Sequence, residues 1–211
     1  MTISQILSVV CIAVAAVSAS AQAGEWKPLF NGKDLSGWKA IDGPASSWQV
    51  VEGLLSCTGQ GHGWLSTDAE YGDFELELEF RVPVGGNSGV FLRAPHEGNP
   101  AFAGMEIQVL DDYDAQYANL KPAQYCGSLY DVAAAQPRVA KKAGEWQKMT
   151  IVADGNRVKV TLNGTQIVDA DLTAHPDKLA EHPGLKRGKG YVGLQNHSSR
   201  LDYRNLRIRA L

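Results

Sequence analysis

The stretch "FELELEFR", Phe74 to Arg81, alternates Phe74, Leu76, Leu78 and Phe80 with Glu75, Glu77, Glu79 and Arg81. A period of two sends successive side chains to opposite faces, so this segment reads as a strand with one face in a core and the other in water. The glutamate row looks like a cluster of acids, but it is read as the wet face of a sheet. Further strands are expected at Trp48–Leu55, Ser88–Arg93, Met105–Leu110, Trp146–Ala153, Arg157–Leu162, Gln166–Asp169, Tyr191–His197 and Asp202–Arg209. Turn signals divide them: Glu52-Gly53, Gly85-Gly86-Asn87, Asp154-Gly155-Asn156 and Asn163-Gly164. The last two make "WQKMTIVADGNRVKVTLNGTQIVDA" a run of antiparallel strands joined by tight reversals.

Long amphipathic helices are absent, and many short strands at regular spacing imply an all-β sandwich or barrel. The length favours a jelly-roll-like β-sandwich of two curved antiparallel sheets. No repeat of solenoid or propeller period is present. Two irregular stretches, Asp111–Gln136 and Asp171–Gly188, are longer than hairpin loops. Such loops are usually functional or disordered, and the first, rich in Tyr and Asp, is expected to wall a site.

Residues 1–23 stand outside this pattern. "ILSVVCIAVAAVSASAQA" is an apolar run that ends in small residues and an A-x-A site at Ala21-Gln22-Ala23, the form of a secretory signal. The run is too short and too soon followed by polar sequence for a membrane span. The chain is therefore expected to be exported, to a periplasmic or extracellular location, with residues 24–211 as a single sandwich domain. The formal charge of −3 and the scattered basic residues exclude nucleic acid as a natural partner. Cys57 and Cys126 follow the signal, and pairing and two unpaired thiols are both open. No feature of the sequence sets an oligomeric state.

Several familiar chemistries lack their motifs: there is no G-x-S-x-G, no G-x-x-x-x-G-K-[ST], no H-E-x-x-H and no C-x-x-C. What remains is a set of polar residues at strand positions where core residues are expected. Arg93 ends "NSGVFLR", Glu106 and Gln108 share a face of "GMEIQVLDD", Gln195 and His197 share a face of "GLQNH", and Arg204 stands in "LDYRNLRI". If these strands are neighbours, they build a patch holding an acid, a histidine, arginines and amides, suited to a polyhydroxylated ligand and to moving a proton. Each also has a bland alternative: His197 as an exposed histidine, Glu106 and Gln108 as a wet face, Arg93 and Arg204 as partners of buried carboxylates. His62, His96, His175 and His182 fall in loops and are assigned nothing. Asp111, Asp112 and Asp114 in "DDYDAQ" offer oxygen ligands that leave a divalent cation open, without the Gly and closing Glu of an EF-hand.

Taken together, "PLFNGKDLSGW", "FELELEFRVPVGGNSGVFLR", "GMEIQVLDD", "CGSLYD", "GEWQKMTIVADGNRVKVTLNG" and "GLQNHSSRLDYRNLRIRAL" resemble the 3-keto-disaccharide hydrolase, or 3-keto-glucoside 1,2-lyase/hydratase, family from about Trp26 to Leu211. The family's LQDH element stands here as LQNH, with Asn196 in place of the acid, and its FRN element as Tyr203-Arg204-Asn205. The resemblance implies a concanavalin A-like jelly-roll fold and a small-molecule or oligosaccharide substrate. It also implies cleavage of 3-keto-glycosides, in which the C3 ketone acidifies the C2 hydrogen, the C1 substituent is eliminated, and water adds back. On that reading Glu106 or His197 is the base and the other the acid, and Arg93 and Arg204 stabilise the enolate. Gln108, Gln195 and Tyr130 hold sugar hydroxyls, and Asp111 is the nearest second acid. The alternative is a non-catalytic carbohydrate-binding module of the same fold, with Trp64, Tyr113 and Tyr117 as stacking platforms.

Overall fold

The computed structural model describes residues 24–211; the expected export signal lies outside the described residues. In chain order the strands are β1 (Lys27–Pro28), β2 (Trp38–Ile41), β3 (Trp48–Val51), β4 (Leu54–Thr58), β5 (Trp64–Tyr71), β6 (Phe74–Arg81), β7 (Asn87–Ala94), β8 (Met105–Leu110), β9 (Gln147–Asp154), β10 (Arg157–Leu162), β11 (Thr165–Asp171), β12 (Gly190–Gln195) and β13 (Arg200–Ala210). One α-helical turn, α1 (Pro100–Ala103), lies between β7 and β8. The strands form two antiparallel sheets, as the alternation requires. The eight-stranded sheet runs β11-β10-β9-β6-β13-β4-β3, with β1 also on β13, and the five-stranded sheet runs β2-β5-β12-β7-β8.

The sheets meet in one core. Phe74, Leu76, Leu78 and Phe80 of β6 cluster with Val90 and Leu92 of β7, Ile107 and Val109 of β8, and Leu194 of β12. Each such side chain, removed from water, contributes about 1.5–3 kcal/mol. The other face of β6 carries an ion-pair ladder: Glu75, Glu77 and Glu79 meet Arg209, Arg207 and Arg204 of β13. Trp146 stacks under Arg81 and Arg204, and Trp26 under Arg207 and Arg209. These pairs are partly exposed, so each contributes at most about 1 kcal/mol.

The turn signals close hairpins where expected. Asn163-Gly164, both at positive φ, joins Leu162 to its partner Thr165, and Gly155-Asn156 joins Asp154 to Arg157. Trp48–Leu55, expected as one strand, is instead the hairpin of β3 and β4, reversed at Glu52-Gly53 (φ 51° and 77°). β1, β2 and β5 are additions to the expected set. β5 hides in the sequence because Ser66 and Thr67 are buried polar residues; their hydroxyls reach the carbonyls of Thr67, Ala69 and Val192. Cys57 and Cys126 are both buried and free.

Of the two long irregular stretches, the first docks along the outer edge of β8. Leu129 bridges Ile107, and the Tyr130 amide donates to the Glu106 carbonyl at 2.9 Å. The second folds as successive 3-10 turns. Its Gly184 lies so close to Gly104 that a Cβ there would stand 1.9 Å from the Gly104 oxygen.

Candidate active site

The five-stranded sheet has one face in the common core and the other under α1 and the long stretches, so its strands are apolar on one side and mixed on the other. On β8, Met105, Ile107 and Val109 enter the core, while Glu106 and Gln108 face away, each only 4% exposed. Room for the acid comes from the next strand. Gly89 of β7 has no side chain, and a Cβ there would stand 2.0 Å from the Glu106 Oε1. The Gln108 Nε2 donates to the Asn87 Oδ1 at 2.9 Å, which orients the amide.

Gln195 ends β12, and His197 follows it on the same side. Between them Asn196 turns inward: its Nδ2 donates to the Gln60 carbonyl at 2.8 Å, and its Oδ1 accepts from the Ser198 amide at 3.2 Å. An aspartate would supply only the second bond, so the amide of this LQNH element clamps the turn that presents His197. The far wall is Tyr130, brought in by the long stretch, with Phe102 of α1 at 6.5 Å between ring centroids. Asn99 caps α1 by accepting from the Ala101 amide at 3.0 Å.

Glu106, Gln108, Tyr130, Gln195 and His197 thus line one pocket of about 220 Å³, with Asn87, Asn99 and Phe102. A second pocket of about 220 Å³ adjoins it, sharing Asn99, Gln195 and His197 and lined otherwise by Asp42, His62, Trp64, Phe91 and Asn196. Among the described residues no hydrogen bond satisfies the Glu106 carboxyl. Burial, and then the charge of Asp131, push it up to about 8. The Tyr130 phenol is raised by burial, Asp131 and Glu106. Its oxygen accepts from the Gln124 Nε2 at 3.3 Å, which leaves its own proton for the pocket.

Four of the residues read from the sequence stand elsewhere or in another role. Arg93 is 1% exposed and donates to the carbonyls of Gly72, Gly155 and Arg187 and to the Asp73 carboxylate. It ties three loops together and lines neither pocket. Arg204 belongs to the eight-stranded sheet, paired with Glu79 and stacked on Trp146. It lines another hollow, about 520 Å³, whose charged side chains pair with one another. Asp111 accepts from the amides of Gly85 and Tyr113 and anchors a turn. Trp64 does line the second pocket but is 2% exposed, edge-on to Phe91 and covering Gly193, so it offers no open stacking face.

Tyr113 and Tyr117 lie outside both pockets and donate to the carbonyls of Ala140 and Gly85. Asp112 and Asp114 accept from the amides of Cys126 and Gln116. Among the described residues no group of three or more His, Cys, Asp or Glu stands ready for a metal, and no helix is long and apolar enough to cross a membrane. Asn87, Asn99, Phe102, Asp42 and His62 were not read as site residues. The Asn99-Pro100 pair carried a helix-start signal that would have located the cap.

The chain is similar to a 3-keto-disaccharide hydrolase of Bacteroides thetaiotaomicron, 29% identical over 87% of this chain and 77% of that one. A crystal structure of a candidate glycosyl hydrolase from Parabacteroides distasonis superposes with a TM-score of 0.78 at 32% identity, covering 89% of this chain and all of the other. At the level of fold alone, a Bacillus subtilis protein with a galectin-like fold matches with a TM-score of 0.58 at 13% identity, over 89% of this chain and 96% of the other. The model of the 3-keto-alpha-glucoside-1,2-lyase-like domain matches residues 25–209, nearly everything from the first strand to the last, and the chain belongs to that family.

Proposed function

We propose that this chain is an exported carbohydrate-active enzyme that cleaves 3-keto-glycosides, by elimination of the C1 substituent followed by hydration. The observation that carries the reading is Glu106: a buried carboxyl with no hydrogen-bond partner, facing a polar pocket it shares with His197. A carboxyl whose pKa is raised by burial and a neighbouring charge, and which lines a cleft, is a candidate for chemistry. The family membership and the named Bacteroides relative support the substrate class.

The arrangement of the two pockets supports one division of the roles that the sequence leaves open. Glu106 lines the first pocket only, whereas His197 stands at the junction of both, where a glycosidic oxygen would cross. Glu106 is therefore the base for the C2 hydrogen and His197, as imidazolium, the acid for the departing oxygen. A carboxylate whose pKa is near 8 is a stronger base than an ordinary one. In the first half-reaction the C2–H bond gives its proton to Glu106. The electron pair passes through the C3 enolate, and the C1–O bond breaks as its oxygen takes the His197 proton. Negative charge leaves a site that disfavours it and moves to the enolate oxygen. With Arg93 and Arg204 engaged elsewhere, the donors for that oxygen are the Tyr130 hydroxyl and the Gln195 amide. In the second half, water adds to C1, His197 takes its proton, and Glu106 returns a proton to C2. The net reaction is hydrolysis.

The binding-module reading keeps one platform, the exposed Tyr113, but Trp64 is buried and neither Tyr113 nor Tyr117 lines the pockets. The test is release of the leaving group from a 3-keto-glucoside by residues 24–211, beside Glu106→Gln and His197→Ala. Release by the parent that falls at least about a hundredfold in either variant supports the assignment. No release by the parent, with sugar binding still seen by calorimetry, leaves a binding module.

A further inference from the structure

Asn87, Ser88 and Gly89 open β7, and each serves the site in a different way. Gly89 leaves the Glu106 carboxyl its room, and Asn87 holds the Gln108 amide. Ser88 points to the opposite face, as alternation along the strand requires, and is fully buried. Its Oγ lies 2.7 Å from the Gln195 carbonyl oxygen and 2.8 Å from the hydroxyl of Tyr203, which is buried too. A carbonyl oxygen can only accept, so the Ser88 proton goes to Gln195 and the Tyr203 hydroxyl donates to Ser88. The chain Tyr203–Ser88–Gln195 thus runs in one direction, from β13 of the larger sheet through β7 to the end of β12. The β12–β7 ladder stops at Leu194 and Val90, and beyond it the turn toward β13 hangs on a few bonds. Asn196 is held by the carbonyls of Gly63 and Gln60, and the Ser199 Oγ accepts from the Asn87 amide at 3.0 Å. His197 stands exposed between these anchors, and among the described residues no hydrogen bond holds its ring.

We infer that Ser88 and Tyr203 are positioning residues: they fix the Gln195 carbonyl, and with it the turn that presents His197 to the leaving group. The inference rests on the proposed 3-keto-glycoside cleavage, with His197 as its acid. Because the imidazole has no orienting partner of its own, its place is set by the backbone on either side of it. A buried hydroxyl pair kept for stability alone could be exchanged for an apolar pair of the same shape, since removing both hydroxyls leaves neither of them unmet. A pair kept for positioning could not. Without the Ser88 proton the Gln195 carbonyl loses its tether, and a displaced acid forfeits part of the roughly 10²–10⁴-fold that proton transfer supplies.

The experiment measures kcat, KM and Tm for the parent, Ser88→Ala, Tyr203→Phe and the double variant. Two substrates are compared: methyl 3-keto-glucoside, whose leaving group needs a proton, and nitrophenyl 3-keto-glucoside, whose phenolate departs without one. The expected result is a methyl-to-nitrophenyl kcat ratio lowered about tenfold in Ser88→Ala and in the double variant, with KM for the methyl glucoside within about twofold of the parent. Tyr203→Phe keeps the shape of the core and the Ser88–Gln195 bond, so its ratio falls less, by roughly threefold. The double variant melts above Ser88→Ala, because no phenol is left buried and unmet, yet its turnover of the methyl glucoside stays low. A double variant whose ratio recovers along with its Tm, or a ratio unchanged in all three variants, overturns the positioning role and leaves the cleavage reaction standing. A parent that turns over neither substrate overturns both.

Discussion

Replacing Glu106 by Gln isolates what its burial costs the fold. Its carboxyl is 4% exposed, and its pKa rises from 4.5 to about 8. At about 1.36 kcal/mol per tenfold change in acidity, that rise amounts to about 5 kcal/mol between the two ends of the titration. Between pH 4.5 and 8 the folded chain holds a proton that the unfolded chain has released, so this group makes stability fall as pH climbs through that window. Below 4.5 both states are protonated and the group contributes nothing; above 8 both are ionised and the full penalty stands. Gln has the same shape and no charge, but its amide still pays roughly 1–3 kcal/mol for imperfect pairing. The variant is therefore expected to be more stable than the parent by roughly 2–4 kcal/mol at pH 9 and less stable than it by up to about 2 kcal/mol at pH 5. For a domain of this size that corresponds to a Tm gain of about 5–15 °C at pH 9. Melting curves of both proteins at both pH values give the difference of differences, which cancels every other titrating group. An equal Tm shift at pH 5 and pH 9 would refute the account of Glu106 as a buried, unpaired acid.

Glu106 sets one limb of the pH dependence: with it as base and a protonated His197 as acid, kcat/KM on a 3-keto-glucoside should be bell-shaped, whereas with a leaving group that departs without a proton it should rise about tenfold per pH unit toward about 8 and then level off. A rate that falls as pH rises toward 8 would make Glu106 the acid instead. Gly89→Ala is expected to fold, at a cost of roughly 1–3 kcal/mol, and to lose about a hundredfold in kcat, because its Cβ would occupy the place of the Glu106 Oε1. Circular dichroism separates that loss from unfolding. Arg93→Ala should cost roughly 3–5 kcal/mol in chemical denaturation, since it removes a buried cation from three carbonyls and a carboxylate. Arg204→Ala, on a partly exposed ladder, should cost at most about 1 kcal/mol and leave kcat as it was.

The opposite fates of these residues show what a single sequence encodes and what it leaves to the fold. The β6 alternation specified its core face and its wet face correctly, because period-two patterning is a local property of one strand. Glu106 and Gln108 were legible for the same reason: polar residues on a strand otherwise made of Met, Ile, Val and Leu break the pattern, and the break points to a site. Arg93 and Arg204 broke the pattern just as visibly, and nothing local distinguishes an arginine that reaches a ligand from one that reaches three carbonyls. That distinction depends on which loops close over the strand end, and those contacts come from Gly72, Gly155 and Arg187, far apart in the chain. β5 was missed through the converse effect, polar residues buried in a strand whose hydroxyls are satisfied by nearby carbonyls and, for Ser66, by the His96 ring.

What separates these cases physically is an unmet hydrogen bond that opens on a pocket, since the Asp112 Oδ2 and His182 Nε2 are also unpartnered but line neither pocket. Arg93, Asp111, Ser66 and Thr67 are buried and bonded, and each could be exchanged for another bonding pattern without touching chemistry. Glu106 is buried and unbonded among the described residues, and the chain keeps Gly89 bare so that the carboxyl has somewhere to stand. A group that lowers stability at neutral pH and is given a cavity of its own is retained for what it does to a ligand. Because that inference runs from an unmet bond rather than from an exposed charge, it needs the three-dimensional arrangement. It would fail for Glu106 if Gln at that position proved neutral to both stability and turnover.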